Sequence, residues 1–389
     1  MRQKDPMRNI LKMHALSSGF AGALVNIFIP IYLLTLGYSL VAVMLFLIVR
    51  HAVILLSAFG AVFVSNKVGL VRTLWIRFGF LFLYLFLLYL LQREDGLLMY
   101  LVAIVGGIEA AFYWIPLNVL FTRHADTKAM AKQISRFFVL PEAAGLLAPL
   151  IGGFVAVLFG FSALFVFAFL VNIGAVGFLG DLAQEKTHFQ FSFTRFKQVW
   201  HRNKTYFVSE FFDNITEETV GIIFPIVAYF SLLSITDIGA IGTLISLGMM
   251  IVTLAIGRFA DRYDKKKMLR LGAVLLIGTW FLAFWTQSAI GFYAISILLG
   301  FFLRFFLIPY NALLYANAKT DDAQFLVLRE LPVISARIFV FLLAIFFVAR
   351  LEFVFLAAAF TLLYFFFFNP PSQNSNIISA TPMDLSAPP

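Results

Sequence analysis

Cysteine is absent from this sequence, which removes disulfides, thiolate metal sites and thiol nucleophiles from consideration at the outset. Charge is the next scarcity: 13% of the 389 residues are Asp, Glu, Lys or Arg, where a soluble domain carries about a quarter. The five histidines, His14, His51, His124, His188 and His201, show no metal-ligand spacing, so no metal is expected. No G-x-x-x-x-G-K-[ST] stretch is present, and ATP hydrolysis by a phosphate-binding loop is not supported. No Ser/His/Asp set or carboxylate pair falls in a segment able to form a soluble cleft. Neither an enzyme nor a cofactor is expected.

What the chain has in excess is apolar surface. Apolar residues make up 62% of it and mean hydropathy is +0.94, so water is not its main solvent. At about 20 residues per crossing, a chain of this length holds roughly a dozen membrane spans and no sizeable soluble domain. Apolar segments run over 14–36, 38–64, 73–92, 97–121, 134–158, 160–180, 205–231, 238–257, 268–287, 289–316, 325–349 and 351–369. The predicted class is therefore all-α and integral to the membrane, with twelve transmembrane helices. The basic start followed by the first apolar run reads as an uncleaved span, because that run outlasts a signal peptide.

A formal charge of +9 suggests nucleic acid until its distribution is examined. The basic residues cluster between apolar runs and form no continuous face, so no nucleic acid partner is expected. With both termini placed in the cytoplasm of a plasma-membrane protein, 23 Lys and Arg fall in inside segments, including 67–77 and 123–136. Only Arg93 and Arg350 fall outside, and Arg50, Arg304, Arg329 and Arg337 lie within spans. That imbalance fixes the predicted orientation.

The polar stretch 181–204 follows the sixth span and reads as a cytoplasmic linker between an N-terminal bundle, 1–180, and a C-terminal bundle, 205–370, with 371–389 as a disordered tail. The two halves repeat. Ile29-Pro30-Ile31 aligns with Phe224-Pro225-Ile226, and the basic loop 67–72 with 262–267, both at an offset of 195. The run from Ile115 to Leu120 aligns with that from Ile308 to Leu313, and Gly107 with Gly300, at 193. Tandem halves of like topology are a transporter architecture with the solute site between them.

The most specific motif runs from Gly257 through Asp261, Arg262 and Asp264 to Lys265, Lys266 and Lys267. It resembles the Gly-x-x-x-Asp-Arg-x-Gly-Arg/Lys-Arg/Lys loop of the major facilitator superfamily, bacterial type, departing from it at Asp264 where the family prefers Gly. A degenerate first-half copy carries Asn66, Lys67, Gly69 and Arg72. The resemblance implies two pseudo-symmetric six-helix bundles, a midplane cavity lined by spans 1, 4, 7 and 10, and spans 3, 6, 9 and 12 facing lipid. The segment Ala148-Pro149-Leu150-Ile151-Gly152-Gly153 looks like a Gly-Pro-x-x-Gly-Gly element that the resemblance associates with exporters, although small residues there also suit plain helix packing.

Ionisable groups inside spans are functional candidates because their burial is costly. They are Arg50, His51, Glu109, Arg136, Glu142, Glu210, Asp213, Glu217, Glu218, Arg304, Arg329, Glu330 and Arg337, with none expected inside spans 3, 6, 9 and 12. For Glu210, Arg136 and Arg329, near predicted span ends, a structural ion pair is the favoured reading. Span 7 concentrates the acids. At about 100° per residue, with Glu210 at zero, Asp213 falls near 300°, Glu217 near 340°, Asn214 near 40° and Glu218 near 80°, one polar sector. Four acids facing lipid would burden insertion by roughly 10 kcal/mol or more, so they must face a cavity or basic partners. Arg304 and Arg337 are the expected partners, with Glu109 across the cavity as a second proton site, and Asn118 and Asn311 complete the cavity candidates. The expected activity is secondary active transport of a small solute by a monomer in the lipid bilayer, coupled to protons or another ion. Export of an amphipathic or cationic compound by antiport is the first expectation, uptake of a sugar, organic acid or nucleoside the second, and a non-transporting sensor or scaffold the third.

Overall fold

The computed structural model describes residues 6–92, 95–124, 130–180, 185–186, 192–256, 264–318 and 322–369, and among them every regular element is helical. Among the described residues, nine helices are long and apolar enough to cross a membrane by length and composition. One of these, Val139–Leu179, is 41 residues long. That is about 60 Å of helix, twice a hydrocarbon core of about 30 Å. It is two spans, broken at Gly160, whose φ of +82° suits glycine. The charged helix Asp322–Phe346 and the short Phe353–Phe367 bring the total to twelve.

In chain order these are α1 (Arg8–Thr35), α2 (Leu40–Val68), α3 (Leu70–Leu90), α4 (Gly96–His124), α5 (130–159), α6 (161–176), α7 (Phe193–Leu232), α8 (Ile235–Ile256), α9 (Lys265–Trp285), α10 (Ala289–Ala318), α11 (Asp322–Phe346) and α12 (Phe353–Phe367). Residues 193–204 of the expected linker are helical and run straight into the seventh span. An even number of crossings puts the start of α1 and the end of α12 on one side, here the terminal face.

The halves repeat in three dimensions at the residues that carried the repeat in sequence. A Cβ on Gly107 of α4 would stand 2.6 Å from the carbonyl oxygen of Arg50 on α2, and one on Gly300 of α10 would stand 2.0 Å from that of Ile245 on α8. Both glycines therefore let equivalent helix pairs touch backbone to backbone. Likewise α1 and α7 each contain a widened π-helical turn, Ala15–Gly22 and Thr219–Ile223, and each resumes with Pro30 or Pro225 in its opening turn. Proline fits there because that position has no N–H partner within the helix to lose.

The halves meet along α2 and α11, and along α5 and α8. Ile54 packs with Val333 and Ile334, and Ala58 and Val62 cluster with Val327. Pro149, Gly152 and Gly153, for which the sequence favoured helix packing over an export element, serve this packing: the Pro149 carbonyl lies 2.6 Å from a Cβ built on Gly239, and Gly152 abuts the Leu24 carbonyl of α1. On the outside, Leu56, Leu158, Phe159, Phe346 and Phe360 are all more than half exposed and form part of the apolar belt expected against lipid.

Candidate functional site

The acids of α7 lie where that helix faces α10 and α11, just before its π-helical turn. Glu210 is fully buried and receives hydrogen bonds from Arg329 Nε at 2.6 Å and from the Tyr310 hydroxyl at 2.9 Å. The pair joins two packed helices, as the ion-pair reading expected. Arg337 reaches Glu218 at 3.3 Å and Glu217 at 3.9 Å, and donates to Asn214 Oδ1 at 3.1 Å. Asp213 is 3% exposed, and its Oδ1 has no hydrogen-bond partner. Arg337 is therefore the partner anticipated for Glu217 and Glu218.

Several polar contacts among the described residues cross between the halves, including a bond from the Leu150 N–H of α5 to Thr243 Oγ1 of α8 at 3.2 Å. Glu218 of α7 faces His51 Nε2 of α2 at 3.8 Å. Glu142 of α5 pairs with Arg304 of α10, and Thr253 of α8 donates to the same carboxylate at 3.3 Å. Near the terminal face the Tyr315 hydroxyl donates to Asn118 Oδ1 at 3.1 Å, and Asn311 is buried one turn before Tyr315. Arg304 thus answers Glu142 across the interface and does not serve the α7 acids, a correction to the sequence expectation. The reason is rotational: Arg304 projects toward α5 while Tyr310, on the same helix, takes the side facing α7.

A second correction concerns the first half. Arg77, counted among terminal-face loop charges, lies two turns inside α3, because that helix begins at Leu70 and not at residue 73. It is 5% exposed, bonds Glu109 at 2.5 Å and Ser17 Oγ at 2.7 Å, and stacks 4.3 Å from the centroid of Tyr113. Ser17 in turn donates to Asn172 of α6 at 2.6 Å, and His14 Nδ1 is 2.6 Å from the Tyr113 hydroxyl. So α3 carries a buried charge, contrary to expectation, and Glu109 is held by Arg77 and does not look across the cavity. The missed signal was position: an arginine seven residues into a helix that begins at a glycine joint, one helix away from an acid of equal depth.

Arg50 shares a cavity with this network, and no hydrogen bond or ion pair reaches it among the described residues, Glu218 of α7 being an acid of the other half that its charge acts on. No cluster of three or more His, Asp or Glu able to hold a metal occurs among the described residues.

Of the loop motif, Gly257, Asp261 and Arg262 lie outside the described residues. Asp264, the departure from the family pattern, caps α9 by accepting from the backbone N–H of Lys266 at 2.9 Å and of Lys267 at 3.4 Å, with Lys265 opening the helix. Its repeat equivalent is Gly69, where φ is +98° and α2 turns directly into α3, flanked by Asn66, Lys67 and Arg72. One half makes this joint with a glycine turn, the other with a carboxylate cap.

Residues 205–385 match the sequence model of the Major Facilitator Superfamily. The uncharacterised protein YqgE of Bacillus subtilis is 24% identical over 298 residues, covering 72% of this chain and 69% of its own. Among solved structures, a bacterial homologue of the iron transporter ferroportin in its outward-facing state superposes with TM-score 0.66 at 14% identity, covering 93% of this chain and 98% of that one. The human organic anion transporter MFSD10 gives 0.64 at 14%, covering 93% and 99%, and the Escherichia coli fucose:proton symporter FucP gives 0.65 at 10%, covering 93% and 97%. At these identities the structures establish the fold.

Proposed function

We propose that this chain, which has the fold of major facilitator transporters and matches the Major Facilitator Superfamily model over residues 205–385, is a member of that superfamily and a secondary active transporter coupled to protons through the acids of α7. The observation that carries the coupling is Glu218, set between Arg337 of its own half at 3.3 Å and His51 of the other half at 3.8 Å. Protonating that carboxylate removes the charge that Arg337 answers. Arg337 then falls back on Glu217 and Asn214, and the protonated carboxyl can donate to His51 Nε2, whose Nδ1 is bonded to the Leu47 carbonyl, so the contact between the halves changes with protonation. The Glu142–Arg304 pair is a second joint of the same kind between the halves. A buried joint of this type is strongly favourable only while both members are charged, so it has two discrete arrangements.

The terminal face is taken as cytoplasmic, with the protein in the plasma membrane, from its large excess of Lys and Arg. The acids of α7, which suggested a cationic cargo, have Arg329 and Arg337 against them and are better used for protons. Two proteins that share the fold are described as carrying an organic anion and as a proton symporter for fucose. The proposed direction is export in exchange for protons.

Proteoliposomes with a trapped pH dye, challenged with a panel of organic acids, sugars and amines, test the reading. The parent should change lumenal pH with at least one compound, a rise meaning proton exchange and a fall meaning symport. Glu218→Gln should lose that proton flux by about tenfold or more while solute–solute exchange persists. If Glu217→Gln and Glu218→Gln both keep the parental proton flux, coupling does not run through α7.

A further inference from the structure

We propose that the cavity inside the first bundle binds the carboxylate head of an organic monoanion, with the Arg50 guanidinium and the Tyr84 hydroxyl as its donors. The proposal deepens the transporter reading by naming the class of solute, and it rests on that reading only for the statement that the bound anion is carried.

The cavity measures about 90 Å³ and lies among α1, α2, α3, α4 and α6. That is room for about three waters, or for a small head group in their place. Two donors on its wall lack partners. Tyr84 is 3% exposed and its hydroxyl makes no hydrogen bond, and Arg50 Nε is buried and equally unpartnered. Arg50 Cζ lies 5.9 Å from the centroid of the Tyr84 ring, so both donors serve one space. Native interiors keep such groups bonded, through protein or through a molecule held between them.

The sign of that molecule follows from the charges already present. Arg77 and Glu109 neutralise each other on the same wall, at 2.5 Å, which leaves Arg50 as the net positive charge of the cavity. A monocarboxylate cancels it and matches the planar guanidinium fork. A dianion would leave a net negative charge beside Leu81 and Leu85, and a cation would add to the positive one; both are costly against apolar walls. At the rim stands Trp114, 39% exposed. It shares a helix face with Ala110, packed in a cluster with Val333 and Ile334 of α11, and with Asn118, bonded to Tyr315, so its ring faces the space between the halves. There it would take the organic part of a solute whose head is held by Arg50.

The test is thermal unfolding of the purified full chain in detergent against sodium benzoate, with butyrate as a smaller carboxylate, benzamide as the neutral isostere and inorganic phosphate as the alternative oxyanion. Benzoate or butyrate should raise the unfolding temperature saturably, and benzamide and phosphate should not. Arg50→Gln should weaken the apparent affinity by about tenfold or more, and Tyr84→Phe by about fivefold, the losses expected for a charge-assisted and a neutral hydrogen bond. No response of the parent to either carboxylate overturns the proposal, as does a phosphate response stronger than theirs or parental affinity in Arg50→Gln. Should Arg50→Gln fail to fold, Arg50→Lys, which keeps the charge and loses the fork, and Tyr84→Phe decide: parental affinity in both overturns it. Benzoate flux in vesicles separates the two readings. Binding that needs Arg50, with no benzoate flux in the parent, leaves the site standing and removes the statement that the bound anion is carried; benzoate flux that survives Arg50→Gln leaves the transporter standing and removes the site.

Discussion

Arg77 and Glu109 stand 32 residues apart on neighbouring helices and are both less than a tenth exposed, so each is the other's main compensation for leaving water. Removing one partner of such a pair strands a buried charge. Glu109→Gln should therefore lower stability by about 3–5 kcal/mol, whereas the double variant Arg77→Leu/Glu109→Leu should cost clearly less than the two single leucine variants summed. Unfolding in detergent across the three leucine variants and Glu109→Gln measures this, and additive losses would mean the two side chains do not act as a pair. Asp213 is the opposite case. Its carboxylate oxygen Oδ1 is buried without a partner, so Asp213→Asn should keep or raise the unfolding temperature. A clear loss of stability would show that the carboxylate is charged and answered in the folded protein.

At the scale of elements, the repeat makes its own controls. Gly107 and Gly300 sit at equivalent backbone contacts, α4 on α2 and α10 on α8, where an added Cβ meets a carbonyl oxygen that cannot turn aside. Gly107→Ala and Gly300→Ala should each destabilise by about 1–3 kcal/mol through forced separation of the helices. Gly60→Ala and Gly278→Ala have open space at the new methyl, so they should stay near the parent. Equal effects at all four positions, read from thermal unfolding, would remove close packing as the explanation. The same comparison explains why part of the site was legible in sequence. Glycines, prolines and the α7 acids fall on periodic or repeated positions, and those patterns are carried by the chain itself. The α2–α3 and α8–α9 joints were half legible: Gly69 fitted a turn, but Asp264 read as a departure until its carboxylate proved to cap α9.

At the scale of the molecule, the halves touch near the terminal face through Asn118 and Tyr315. The chain has no native thiol, so Asn118→Cys/Tyr315→Cys is a clean reporter pair. A short bismaleimide should link the two halves and abolish flux in proportion to the linked fraction; full flux after complete linkage would mean that this contact need not open. Orientation is tested separately. A reporter active only in the cytoplasm, fused after Pro370, should be active, and one at residues 93–96 should be silent, with the reverse pattern placing the terminal face outside.

Sequence alone determined the solvent, the number of crossings, the duplication and which residues carry charge into the membrane, because hydrophobic length and repeat spacing are properties of consecutive residues. Tertiary structure decided which charge answers which. Arg304 meets Glu142 and not the α7 acids, Arg77 leaves the loops to hold Glu109, and Arg50 is left beside an unpartnered tyrosine. Those choices depend on how deep each helix sits and how far it is rotated against helices distant in the chain. Neither quantity is set by local sequence, since a shift of one residue turns a side chain by about 100° and delivers it to a different neighbour.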